Sequence, residues 1–207
     1  MDRNSGAMVY IMCFVGLFHQ FEMSVMGETE IAPYKVLQKW SNENVELRHY
    51  PAQNWACTQA TTRRMSDMSP SGFGKLFRYI SGNNVKGQKI AMTRPVLVEI
   101  KPDPRSTSDR LYKMGFYMSA NDCPSPPTPK AGSVFIEHRQ PLNVYSRLYS
   151  GFSNEGKLNK EVGRLASSLN RLGKGYRTDV YFYASYNSPF QLFNRRNEVW
   201  LVAVPDS

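Results

Sequence analysis

The chain has 207 residues, 41% hydrophobic and 21% charged, the composition of an ordinary globular domain, which excludes a collagen-like, coiled-coil or mostly disordered chain. Three cysteines and three histidines are too few for a disulfide framework or a thiolate-rich zinc site. The 26 basic residues outnumber the 17 acidic ones, for a net charge of +9 with no block of like charges, a pattern that suits a local anion site better than a nucleic-acid arm.

Residues 7–18 (AMVYIMCFVGLF) form a continuous apolar run. A spanning helix needs about 20 such residues, so no stable membrane span is expected. The length suits the core of a signal peptide, with Val25-Met26-Gly27 as a cleavage site. The alternative is a disordered leader on a cytoplasmic protein, and the lack of any N-x-S/T sequon favours that reading. Residues 1–27 are therefore set apart as a leader, and 28–207 are read as one domain. With the leader removed, Cys57 and Cys123 remain, enough for one disulfide in an oxidising compartment.

Residues 45–50 (VELRHY) alternate like a half-buried strand, and residues 55–62 resume after Pro51. Residues 65–71 read as a Ser/Met/Pro loop. Phe73, Leu76, Phe77 and Ile80 then share one face of a short helix, which Ser81-Gly82 stops. Residues 89–100 read as a strand with Pro95 at a bulge or edge, and residues 110–119 as another. Four prolines within 121–132 mark a long loop. Strands over 133–139 and 142–149 follow. Leu158, Val162, Leu165, Leu169 and Leu172 make one apolar stripe on a helix that Ser153 or Asn154 caps and Gly173 ends. Strands over 179–186 and 198–204 complete the chain.

Each half reads strand, strand, helix, strand, strand. The expected fold is α+β: a distorted eight-stranded antiparallel β-barrel with two outer helices, built from two pseudo-twofold ββαββ repeats over about 43–120 and 133–204. A half of this size would be marginal alone, so the two share one core.

Catalytic patterns are missing: there is no nucleophile elbow, no P-loop and no paired zinc motif, so no enzyme is expected. Glu198 is the one carboxylate that a hydrolase grown on this fold could use, and its bland reading is an ion pair with Arg195 or Arg196. His49 shares a strand face with Val45 and Leu47, and reads either as a core or rim histidine or as a ligand to haem iron. Phe73 and Phe77, with Lys75 and Arg78 beside them, form one apolar and basic surface. Residues 186–196 form a second, placing Phe190, Leu192 and Phe193 next to Arg195 and Arg196. Flat aromatics beside cations suit a planar apolar molecule carrying carboxylates.

Three stretches, RHYPA (48–52), KIAMTRPV (89–96) and YNSP…NRRNEVWL (186–201), resemble the SOUL family of haem-binding proteins, and the Arg-His-Tyr and Tyr-Asn-Ser-Pro forms resemble its SOUL branch. The resemblance runs over about 34–203. It implies non-catalytic binding of haem or a related tetrapyrrole, usually by a cytosolic protein. It also implies His49 as the iron's axial ligand, or an apolar groove between the first helix and the last hairpin loop, with Phe77 and Arg78 at matching positions. Gln191 stands near the place where that groove's loop lysine would be. The family also links some members to partner binding through the second helix; Leu165 and Leu169 fit that apolar spacing, but Gly173-Lys174 lacks the Gly-Asp step it needs, so no particular partner protein is named, and the alternative is a small-molecule or partner-binding module without haem.

Overall fold

The alternating stretch VELRHY forms the strand expected of it. In the computed structural model, which describes residues 29–188 and 191–205, it is one of nine: β1 (Lys35–Trp40), β2 (Val45–Tyr50), β3 (Gln53–Thr62), β4 (Val96–Pro102), β5 (Arg110–Tyr117), β6 (Phe135–Arg139), β7 (Leu142–Ser150), β8 (Tyr176–Ser185) and β9 (Arg196–Ala203). Two helices, α1 (Met65–Ile80) and α2 (Glu155–Arg171), and a 3-10 turn at Ser41–Glu43 complete the set. The leader with its proposed cleavage site, and Phe190, lie outside the described residues. No described helix is long and apolar enough to cross a membrane.

The strands form one antiparallel sheet in the order β1-β2-β7-β9-β8-β4-β5-β3-β6. The expected eight strands are thus nine, and hydrogen bonds do not close them into a barrel. The extra strand, β1, is exposed on nearly every residue, so its sequence lacks the apolar contrast that betrays a strand. The sheet still curls strongly. Tyr50 near one end and Trp55 and Arg139 near the other line a single small cavity with Trp200 and Phe182.

Alternation divides each strand between two cores. Ala56, Val98, Ile100, Tyr112, Phe116, Val199 and Leu201 face the helices and meet Leu76 and Ile80 of α1 and Leu158, Leu165 and Leu169 of α2. Trp55, Cys57, Leu97, Tyr117, Phe182, Ala184 and Trp200 fill the concave side. The α2 boundaries follow the expected signals. Asn154 caps its start by accepting from Lys157 N (2.9 Å), and Gly173 adopts φ 64° just past its end.

Two expectations are corrected. The loop read over 65–71 is the first half of α1, with Pro70 inside the helix. Met65 and Met68 extend the apolar stripe backwards, and Met68 and Leu76 are buried against the sheet, so packing overrides the proline. Residues 89–95 are not strand. Instead Ile90 N donates to Ile80 O, Thr93 Oγ1 to Tyr117 O and Arg94 N to Glu30 O, and β4 begins only after Pro95.

The two described cysteines are free, buried and assigned to different cores, Cys57 to the concave side and Cys123 to the helix side. The disulfide allowed by the sequence is therefore not formed. Burial pushes the Cys57 thiol up to about 12 and raises Cys123 as well, so neither has a ready thiolate. In a Cys13→Ser protein, a thiol-specific disulfide reagent at pH 8 should label neither cysteine in the native state and both in denaturant. Fast labelling of the native protein would contradict this burial.

Candidate functional site

The most densely bonded polar group of the described residues lies at the start of β9. Glu198 has no exposed surface, yet it carries charge. Its Oε2 accepts from Arg48 Nη1 (2.7 Å), Trp200 Nε1 (2.8 Å), Tyr186 OH (2.9 Å) and Ser146 Oγ (3.1 Å). Its Oε1 accepts from Arg196 Nη2 (2.7 Å) and Nε (3.1 Å) and from Arg48 Nη2 (3.3 Å). Burial raises the carboxyl's pKa, but the charges and hydrogen bonds of Arg48 and Arg196 outweigh burial and hold it below the ordinary carboxylate value. With both oxygens saturated, Glu198 has no lone pair left for a substrate proton. It is the ion pair expected beside the arginines, made with Arg196 and Arg48 rather than Arg195.

Above this network opens a pocket of about 720 Å³, lined by Tyr34, Trp40, Tyr149, Lys39, Arg48, Arg195 and Arg196 among others. Sequence reasoning pointed to Arg195 and Arg196 here but missed Tyr34, Lys39, Trp40 and Arg48. A signal for Arg48 existed, since alternation puts it on one face of the strand with Glu46 and Tyr50, an acid to pair with beside an aromatic ring. Tyr34 and Trp40 gave none, because they reach the pocket just before and at the end of the unanticipated β1.

The other candidates fall elsewhere. Phe73 and Phe77 stack on one face of α1 (ring centroids 5.9 Å apart), and Phe73 meets Phe116 of β5 edge-on (5.3 Å). Arg78 is exposed nearby and shares a small cavity with Lys75. Register places Phe116, Val96 and Ser185 in one row across β5, β4 and β8. The hairpin that follows Ser185 therefore starts two strands from Phe116, about 10 Å away. On that hairpin Leu192 is 63% and Phe193 79% exposed.

His49 is half-exposed on β2, and its Nδ1 lies 2.7 Å from Asn143 Oδ1. Asn143 sits seven residues along β7 from Ser150, which pairs with Arg196 at the hairpin's base. That is about 23 Å of strand. His49 and the hairpin thus belong to opposite ends of the sheet and do not form one site.

The fold and surface define a class of proteins with a curled antiparallel sheet, two helices on its outer face and an exposed apolar hairpin with cations nearby, a surface of the kind that meets a ligand or partner. Residues 29–202 match the SOUL heme-binding protein family, and the chain belongs to it. It is 38% identical to human Heme-binding protein 2 over 157 residues (76% of this chain, 77% of that one), and 31% identical to mouse Heme-binding protein 1 over 181 residues (86% and 95%). Among solved structures, the EcmrR C-terminal domain superposes with TM-score 0.56 at 8% identity, covering 84% of this chain and 99% of that one. A hydrolase from Listeria innocua superposes with TM-score 0.51 at 9% identity, covering 78% and 92%. At such identities these two share the fold alone.

Proposed function

We propose that the protein binds haem or a related tetrapyrrole without catalysing a reaction, on the surface between α1 and the β8–β9 hairpin. The observation that carries this is the pair of exposed apolar side chains, Leu192 and Phe193, on a hairpin that starts about 10 Å from the residue seating Phe73 and Phe77. Membership of the SOUL family and the names of its relatives supply the ligand class. The residues fit such a ligand. Phe73, Phe77, Leu192 and Phe193 offer apolar area to a flat macrocycle, and Lys75 and Arg78 offer charge to its propionates. Iron in such a ring would take its ligand from solvent or a nearby side chain.

His49 is the alternative holder of the iron, because its Nδ1–H donated to Asn143 would leave Nε2 as a lone-pair donor. The reading also takes the domain as two equivalent halves. Exchanging β2 with β6, β3 with β7, β4 with β8 and β5 with β9 reproduces the order of these eight strands in reverse. By analogy with the family, we place the protein in the cytoplasm.

A haemin titration followed at the Soret band tests the site. Phe193→Ala and Phe77→Ala should each weaken binding about tenfold, by loss of roughly 1.5 kcal/mol or more of buried aromatic area. His49→Ala should leave both affinity and spectrum unchanged. A Soret shift in His49→Ala with no effect of Phe193→Ala would move the ligand to the far end of the sheet. Binding that never saturates would end the haem reading.

A further inference from the structure

The cations around the 720 Å³ pocket are not equivalent. Arg48 pairs with Glu46 and Glu198, Arg196 with Glu198, and Lys39 with Glu46. Arg195 pairs with no carboxylate among the described residues, although only 8% of its surface is exposed. Its Nη1 donates to the carbonyls of Gln191 (2.7 Å) and Ser188 (2.8 Å). Its guanidinium carbon lies 4.8 Å from the centre of the Phe152 ring. Its Nε is buried with no hydrogen-bond partner.

A guanidinium cannot escape burial by losing its proton, so a buried one needs a counter-ion or a full set of acceptors. Arg195 has neither, and it borders an open pocket large enough for a small organic molecule. Tyr34 and the partly buried Trp40 also line that pocket. Four cations against the two carboxylates Glu46 and Glu198 leave the lining positive.

We propose that this pocket is a second ligand site, separate from the surface between α1 and the hairpin, and that it takes a molecule with a flat apolar body and a carboxylate or phosphate group. The anion supplies the counter-charge that Arg195 lacks. The body lies against Trp40. The site lies on the β1–β2 side of the hairpin, whereas Phe73 and Phe77 lie on the β5 side, so its occupancy does not depend on the haem reading.

The full chain is titrated with 1-anilinonaphthalene-8-sulfonate, whose rings and sulfonate stand in for the body and the anion. Saturable binding to one site is expected. Arg195→Met should weaken it about tenfold or more, the loss of one charge-assisted pair, and Arg195→Lys should recover most of it. Because Arg195 also ties its own hairpin, Ser150→Asp serves as the second variant. It adds a carboxylate to the lining while leaving the arginine's hydrogen bonds in place, and it should weaken the probe similarly. Circular dichroism and melting temperature identify any variant that misfolds. Competition by inorganic phosphate would name a phosphate as the anion. Competition by mesoporphyrin but not by its dimethyl ester would name a carboxylate. Equal probe affinity in the wild type, Arg195→Met and Ser150→Asp, or no saturable binding, would overturn the proposal.

Discussion

Glu198→Gln should destabilise the protein by about 3–5 kcal/mol at pH 7, the cost of leaving buried charge without its partner. For a chain of this size that corresponds to a melting temperature lower by roughly 6–20 °C. The amide keeps the shape but removes the negative charge that Arg48 and Arg196 both face. Arg48 retains Glu46, but Arg196 pairs with no other carboxylate among the described residues.

The pH dependence follows from the direction of the shift. The folded Glu198 carboxyl titrates below its ordinary value of 4.5, so the unfolded chain takes up protons first as the pH falls. The stability this group contributes is fully present above about pH 5 and is lost as the pH falls through the folded value. Glu46, Glu99 and Glu137 are lowered in the same way, so the variant keeps an acid limb, only a shallower one. Urea denaturation at pH 7 and pH 3.5 measures both effects. An unchanged gap between wild type and variant at the two pH values would show that the charge of Glu198 is not what holds this network.

Phe116→Ala should cost about 3–5 kcal/mol, as for other buried large-to-small aromatic changes. Phe116 is 1% exposed, sits in β5 between Ala56 and Val96, and carries the edge contact to Phe73. Its loss leaves a cavity under the stacked Phe73–Phe77 pair. Haemin affinity should therefore fall as well, even though Phe116 itself is buried. Denaturation curves give the first effect and the Soret titration the second. A destabilised variant with unchanged haemin affinity would show that the ligand does not rest on this face of α1.

Most of the fold was legible because its helices bury one stripe each and its strands alternate between two different surroundings. The stripe from Leu158 to Leu172 is a product of one-sided burial, and the alternation over 45–50 reflects a strand whose two faces meet different neighbours. What escaped were elements without contrast. β1 buries almost nothing, and the first half of α1 looks like a loop because Ser66, Ser69, Pro70 and Ser71 are poor helix formers that tertiary packing overrules. The site was legible as a list of residue types but not as a place. Arg195 and Arg196 are neighbours in sequence, yet one ends in a saturated ion-pair network and the other beside it without an anion. His49 and Arg195 were candidates for one ligand, and only the β2–β7–β9 register shows that a whole strand separates them. Register depends on which strands pair across the chain, which a linear pattern does not carry.

The irregular pairing of β1 has a consequence of another kind. Val36 pairs with Arg48 and Gln38 with Leu47, so Leu37 is an extra residue that kinks the outermost strand. Val36 and Leu37 are both nearly half exposed, with Lys35 and Lys39 on either side. A straight apolar edge of this kind would invite a second copy to extend the sheet, and the kink and flanking lysines oppose that. Deleting Leu37 would even out the ladder and should cost little in folding stability while promoting self-association. The outermost strand thus has more bearing on how these molecules tolerate one another at high concentration than on how firmly each one folds.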